Sequence, residues 1–256
     1  MTREETAMKI MLAPQKVGVG MERNLRSIKA ELPLVVGLTE MDLGKRSFVP
    51  LMQRTLGPSY EVISTDVGVH SREIPVAIRT GEETSVTSSE VIPISRDVGV
   101  KGVGNDRYLA VVRFSHKGRG YVVMHTHTDA VIQNQHTGKL LDNERVGPTA
   151  GAMQAIEDRA RATLDDAGVA GLMIMGDFNY LEVEDAIAWE HSPQEMFARL
   201  GMTWHSSRVI YLAWSPGLAP KQPTETVPPH SSRNAADHAW LLGRFRSTAP
   251  AARAAR

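Results

Sequence analysis

The sequence predicts a mixed α/β or α+β domain in which sheet packs on sheet and helices lie outside. Three observations lead there. Short β-branched and apolar runs bounded by Gly, Pro, Asn or Asp recur along the chain, few stretches show helical spacing, and neither an internal repeat nor a linker interrupts the series. A chain of 256 residues with 42% apolar side chains can bury a substantial core, which excludes wholesale disorder. One domain is expected over residues 1–246. Residues 247–256, ending Ala-Arg-Ala-Ala-Arg, are expected to form a flexible basic tail.

The first strand is placed at 9–12. Further strands are predicted at 34–38, 61–65, 75–79, 89–94, 108–113, 121–127, 171–176, 209–214 and 239–242. The clearest helix follows Pro148. Met153, Ile156, Ala160 and Leu164 fall on one stripe, Pro148 suits the first turn, and Gly168 suits the stop. Leu25, Ile28 and Leu32 form a second stripe that ends near Pro33, and residues 46–56 and 193–200 are expected to add two more helices. Residues 217–229 carry four prolines and read as a surface loop.

Composition removes several classes of function. With no cysteine there is no disulfide framework, thiolate metal site or thiol nucleophile, so any metal must be held by carboxylates, carbonyls, amides or the nine histidines. No run approaches the roughly 20 apolar residues of a membrane span. The segment around Arg3, Glu4 and Glu5 lacks the basic-then-apolar order of a secretory signal, so a cytoplasmic location and no membrane partner are expected. The 29 basic and 29 acidic residues balance, so attraction to nucleic acid would need a local basic face. Residues 101–120 offer either such a face or a solvated hairpin, with Lys101, Arg107, Arg113, Lys117 and Arg119 against Asp106.

Four segments are polar where an apolar strand ends. Residues 35–42 put Glu40 and Asp42 just past a buried strand, where a carboxylate is either a solvated turn residue or a metal ligand on a rigid support. In 121–129, His125, His127 and Asp129 lie two apart, so a strand turns them to one face. Such imidazoles bond structurally, move protons or ligate metal. In 172–179 the apolar run ends in Gly176-Asp177-Phe178-Asn179, and Gly176 is expected to let the backbone turn tightly. Asp177 and Asn179 then share a side of the exit, suiting either a hard cation with a phosphoryl group or an Asx-type turn. Asp237 and His238 enter the last apolar strand, as a cap or as a metal ligand beside a proton-moving imidazole.

In order, a Glu after a strand, Thr126-His127 after a strand, Gly-Asp-Phe-Asn and a late Asp-His pair resemble the endonuclease/exonuclease/phosphatase superfamily, with its deoxyribonuclease-I-like fold. The resemblance spans roughly residues 34–242 and is most specific at positions 176–179 and 237–238. It implies an α+β, four-layer α/β/β/α sandwich of two packed, mainly antiparallel sheets flanked by helices, with the site at one edge. It also implies hydrolysis of phosphoester bonds with Mg²⁺, or Mn²⁺ in its place, by a nuclease or phosphodiesterase. Glu40 falls on the family's metal-binding Glu and His127 on its first catalytic His. Asp177 and Asn179 fall on the phosphate-contacting, nucleophile-orienting pair. Asp237 falls on a metal ligand or the residue behind one, and His238 on the general base or acid. The implied partner is a phosphoester substrate, with DNA and RNA among the candidates, and the default state is a monomer. The chemistry is coherent, since hydrolysis needs charge neutralised on the phosphate oxygens, an in-line water activated and the leaving oxygen stabilised. Mg²⁺ suits one or two carboxylates plus water and the substrate phosphate.

Three positions depart from the family. Its Asn at the end of the first strand has no clean counterpart: the exit reads Ala13-Pro14-Gln15, with Gln15 as the substitute and Asn24 lying too late. Ile210, in Arg208-Val209-Ile210-Tyr211-Leu212, stands where relatives carry an Asp that orients the final His. That change opens an alternative, a catalytically impaired binding protein of the same fold. Some relatives also pair the first His with a Glu, a role Glu73 would fill if it does not simply face solvent. A rival of another class remains. His125, His127 and Asp129 match most of the His-x-His-x-Asp-His motif of metallo-β-lactamase-like zinc hydrolases, though Ala130 takes the place of its last His.

Overall fold

Strands that are apolar on both faces must be covered on both, and the structure, a computed structural model, covers them by stacking four layers. It describes residues 7–15, 20–41, 47–64, 71–95, 106–129, 132–134, 137–181, 189–231, 234, 236 and 238–248. Asp42, Lys101, Ala130, Asp237 and most of the expected tail lie outside the described residues. The elements run β1 (Met8–Leu12), α1 (Met21–Glu31), β2 (Val35–Gly37), α2 (Val49–Leu56), β3 (Tyr60–Ile63), a 3-10 turn (Ser71–Glu73), β4 (Val76–Arg79), β5 (Thr84–Ser95), β6 (Arg107–His116) and β7 (Arg119–His127). They continue with α3 (Val146–Leu164), β8 (Val169–Asp177), α4 (Pro193–Arg199), β9 (Thr203–Ser207), β10 (Ile210–Trp214), β11 (Leu218–Pro220), β12 (Glu225–Val227) and β13 (Trp240–Ser247). No helix among the described residues is long and apolar enough to cross a membrane.

One sheet has the order β11-β13-β1-β2-β4-β3, with β12 also on β13, and the other the order β5-β6-β7-β8-β10-β9. β1 pairs in parallel with β2, and β7 with β8; the other ladders are antiparallel. Leu12, Val35, Val76, Val112, Val123, Met173 and Leu212 fill the space between the sheets. Met11, Val36 and Leu242 pack on the outer side against Leu25, Ile28 and Met52 of α1 and α2. Leu172 and Ile174 pack against Met153, Ile156 and Ala160 of α3 and Phe197 of α4. The continuous apolar run of β8 follows directly: Met173 and Met175 point inward, Leu172 and Ile174 outward.

The fold is the expected four-layer α+β sandwich, with four local corrections. Residues 217–229 are not simply a loop: β11 and β12 extend along β13 and bury Leu218 and Val227, and Pro220 is tolerated because it ends an edge strand. β5 starts five residues before its predicted bound of 89, since an exposed edge strand of Ser and Thr shows little apolar alternation. β9, half-exposed throughout, hides for the same reason. Gly176 makes no turn. The strand runs through it, and a side chain there would run into the Thr126 carbonyl of the neighbouring strand.

Strand pairing brings the functional segments to one edge. Leu12 faces Leu241, Leu12 also pairs with Gly37, Gly37 faces Val76, Leu109 faces Thr126, His127 pairs with Asp177, and Asp177 faces Ile210. The exits of β1, β2, β7 and β8 therefore lie with the entries of β4, β6, β10 and β13. His125 ties the two sheets together there, its Nε2 2.8 Å from the Leu38 carbonyl oxygen and its Nδ1 3.1 Å from that of Met175.

Candidate active site

Register alone sets His127, Asp177 and Ile210 side by side on three adjacent strands. Asp177 is only 1% exposed. Its Oδ1 accepts the Asn179 backbone N–H at 3.0 Å, and its Oδ2 lies 3.9 Å from His238 Nε2. The expected Asx-type turn therefore forms through Oδ1, and Oδ2 is left towards His238. Asn179 adopts a left-handed backbone (φ 48°), which Asn tolerates better than most residues, and its Nδ2 donates to the Thr128 carbonyl at 2.8 Å. Thr128 laces the two exits further: its N–H donates to the Asp177 carbonyl at 2.9 Å and its hydroxyl to that of Phe178 at 2.5 Å.

His127 meets a charged cluster. Its Nδ1 lies 3.4 Å from Glu73 Oε2, and Arg107 reaches the same oxygen at 3.4 Å through Nη1 and Asp129 Oδ1 at 2.9 Å through Nε. These four side chains are between 10% and 13% exposed. Glu73 therefore does not face solvent, and it sits on a 3-10 turn ahead of β4 rather than on a strand. Glu40 follows β2 at φ 59°, and the turn it makes lets the Met41 N–H reach the Glu73 carbonyl at 3.3 Å. Glu40 is thus carried to the same edge as Glu73 and His127. Position 237 is outside the described residues, and Asn234 bonds to residues on either side of it. Asn234 Oδ1 accepts from Ala236 N–H at 2.9 Å, and its Nδ2 donates to the His238 carbonyl at 2.8 Å.

Several sequence expectations take a different form. His125 shares a strand face with His127 but is fully buried between two carbonyls, and burial pulls its pKa from 6.5 down to about 4. The two carbonyl contacts oppose that drop and neighbouring His127 adds to it. Gln15 stands at the β1 exit with its amide turned into the core, Nε2 donating to the Ala13 carbonyl at 2.7 Å and Oε1 accepting from Asn24 at 2.7 Å. Among the described residues of the basic stretch, three of the cations face carboxylates. Arg107 is inside the site cluster, Arg113 pairs with Asp166 at 2.8 Å, and Lys117 faces Glu83 at 4.0 Å on the β6–β7 hairpin. The zinc-hydrolase rival does not assemble, because His125 is held by carbonyls and Asp129 by Arg107. No group of three His, Asp or Glu among the described residues is placed to hold a metal.

Arg107 was hidden in the sequence because it read as one of five cations. The signal was available in strand pairing: an Arg two residues before the partner of Thr126 must end beside the exit of β7.

No family model and no curated protein matches this sequence. Solved structures do. An endonuclease/exonuclease/phosphatase from Bacteroides vulgatus is 15% identical, with 95% of this chain and 100% of that one covered and a TM-score of 0.66. A mannosyl-6-phosphatase from Bacteroides thetaiotaomicron is 12% identical over 93% and 99% of the two chains, with a TM-score of 0.64. D. rerio TDP2, complexed with a single-strand DNA product, is 12% identical over 95% and 100%, with a TM-score of 0.62. At these identities the likeness concerns the fold: this chain has the deoxyribonuclease-I-like fold of the endonuclease/exonuclease/phosphatase superfamily.

Proposed function

We propose that this chain hydrolyses phosphoester bonds with the help of a divalent cation, as a nuclease or phosphodiesterase. One observation carries the reading: a nearly fully buried Asp177 lies in register beside His127 and 3.9 Å from His238, at the edge to which β2 delivers Glu40. Two imidazoles flanking a carboxylate at one strand end suit proton transfer around a single reacting centre. Asn179, fixed through its Nδ2–Thr128 bond, has its second Nδ2–H to donate to a phosphate oxygen. Asp177 Oδ2 orients the attacking water, His238 Nε2 takes its proton as the water oxygen bonds to phosphorus, and His127, when it carries a proton on both ring nitrogens, gives the Nε2 proton to the leaving oxygen as that oxygen's bond to phosphorus breaks. Acid–base assistance of this kind is worth about 10²–10⁴-fold.

The donor set fits a hard, largely hydrated cation. Glu40 would offer carboxylate oxygen, and Asp237, outside the described residues, would be the second carboxylate of the proposed site. Mg²⁺, or Mn²⁺ in its place, supplies positive charge against the phosphate oxygens when bound. The fold does not choose a substrate, since its neighbours include a mannosyl-6-phosphatase and a protein complexed with single-strand DNA. A phosphodiester, DNA and RNA among the candidates, acted on by a cytoplasmic monomer, completes the proposal.

The test is turnover of single- and double-stranded DNA, RNA and small phosphoesters in Mg²⁺, Mn²⁺ and EDTA. Hydrolysis of at least one substrate, abolished by EDTA and restored by either ion, is expected. Full activity in EDTA contradicts the metal assignment. A second reading, binding without turnover, is favoured by Ile210, fully buried where the family resemblance places an Asp, and by the inward amide of Gln15. Binding of a phosphoester with no hydrolysis in any arm selects it.

A further inference from the structure

We propose that Arg107 is a positioning residue: by clamping Glu73 and Asp129 it holds the Glu73 carboxylate against His127 Nδ1, which fixes the imidazole as its Nδ1–H tautomer and leaves Nε2 to meet the substrate. The use made of that tautomer rests on the phosphoester-hydrolase reading; the clamp itself does not.

The geometry is specific to a guanidinium. Arg107 spans two carboxylates from different segments, Asp129 at the β7 exit through Nε at 2.9 Å and Glu73 in the 3-10 turn through Nη1 at 3.4 Å. A planar fork reaches both at once, whereas a lysine ammonium is a single point on a flexible stem. Two carboxylates sharing so small a volume repel each other, and the cation between them removes that repulsion. All three charged groups are nearly buried, so the interaction is poorly screened. The turn that carries Glu73 is also anchored through its carbonyl by the Met41 N–H.

His127 Nδ1 is buried and has no acceptor at hydrogen-bonding geometry among the described residues, with the Glu73 oxygen 3.4 Å away. A lone pair on that nitrogen would face an anion, while an N–H would point at one. The single proton of the neutral ring is therefore assigned to Nδ1, a relation that needs only a small tightening to become a hydrogen bond. At position 210, where the resemblance places a carboxylate that orients His238, this chain has Ile. His127 has the Glu73 carboxylate oxygen 3.4 Å from its Nδ1.

The experiment is ring-nitrogen NMR of the ¹⁵N-labelled full chain at alkaline pH, with the His127 signals assigned through His127→Gln. The expected wild-type result is a protonated Nδ1 and a bare Nε2. Arg107→Lys, which keeps the charge and loses the fork, should shift the population towards the Nε2–H form. Asp129→Asn, which removes one anchor at constant shape, should move it the same way and decides the matter if Arg107→Lys does not fold. On any phosphoester that the chain hydrolyses, either variant should lower kcat about 10–100-fold, with KM changed by no more than about twofold. An Nε2–H tautomer in the wild type, or a tautomer unchanged in the folded variants, overturns the proposal. Failure of the wild type to hydrolyse any phosphoester sinks the functional reading, and the tautomer still decides the clamp.

Discussion

His125 and His127 are two residues apart on one strand and face opposite chemistry. His127 looks into a cluster of charges at the sheet edge, whereas His125 is sealed between the carbonyls of Leu38 and Met175. A neutral ring has one N–H for those two carbonyls, and full burial makes the charged ring that could serve both still less favourable. The folded pKa of about 4 lies below the unfolded 6.5, so the unfolded chain binds the extra proton between them. Stability from this residue is fully present above pH 6.5 and falls as pH drops towards 4, by about 3 kcal/mol at the end of that window. Urea unfolding across this range should show the loss in wild type and a smaller loss in His125→Gln, which cannot gain the charge. Identical pH dependence in the two proteins contradicts the assignment. Period-two spacing was enough to put both histidines on one face, but which of them becomes an inter-sheet tie depends on Leu38, 87 residues away in the chain.

At the level of the element, β8 shows how a strand can be read correctly and its glycine wrongly. The apolar run identified a strand covered on both faces, and the structure extends it through Gly176 to Asp177. Gly176 is required because the Thr126 carbonyl of the parallel neighbour lies where a Cβ would go, a fact of pairing rather than of local turn chemistry. Gly176→Ala must push apart β7 and β8 at the point that aligns His127 with Asp177. The expected loss is about 3 kcal/mol, seen as a lowered Tm, together with reduced activity in whatever protein remains folded. An unchanged Tm argues that this pair is slack. Helix α3 was legible for the opposite reason: Met153, Ile156 and Ala160 repeat along it and bury together without any long-range information, whereas on α1 Leu32, expected on the apolar stripe, is an exposed cap beyond the helix. β9, β11 and β12 were not, because each is short or half-exposed and gains its identity only from a partner strand.

For the whole molecule, the zero net charge acquires a structural meaning. Of the five cations in residues 101–120, Arg107, Arg113 and Lys117 each lie beside a carboxylate, at Asp129 and Glu73, Asp166, and Glu83, while Lys101 lies outside the described residues. A phosphate track along that stretch is therefore not expected. Nucleic acid held at the edge alone should lose only about three- to tenfold in affinity between roughly 50 and 200 mM salt, as one or two phosphate contacts require. A steep loss of a thousandfold or more would place a basic track elsewhere on the molecule. The order of segments along the chain announced the fold, while the site's electrostatic core, Arg107 with Glu73 and Asp129, became visible only when two strands and a turn were brought together. The most direct test of the account is the turnover of the best phosphoester substrate by wild type, Asp177→Asn and His238→Ala in Mg²⁺, each variant first checked for a native unfolding transition. Both folded variants are predicted to lose at least about 10²-fold in kcat. Variants that fold and turn over as fast as wild type would show that the edge joining Asp177, His127 and His238 is not where the chemistry happens.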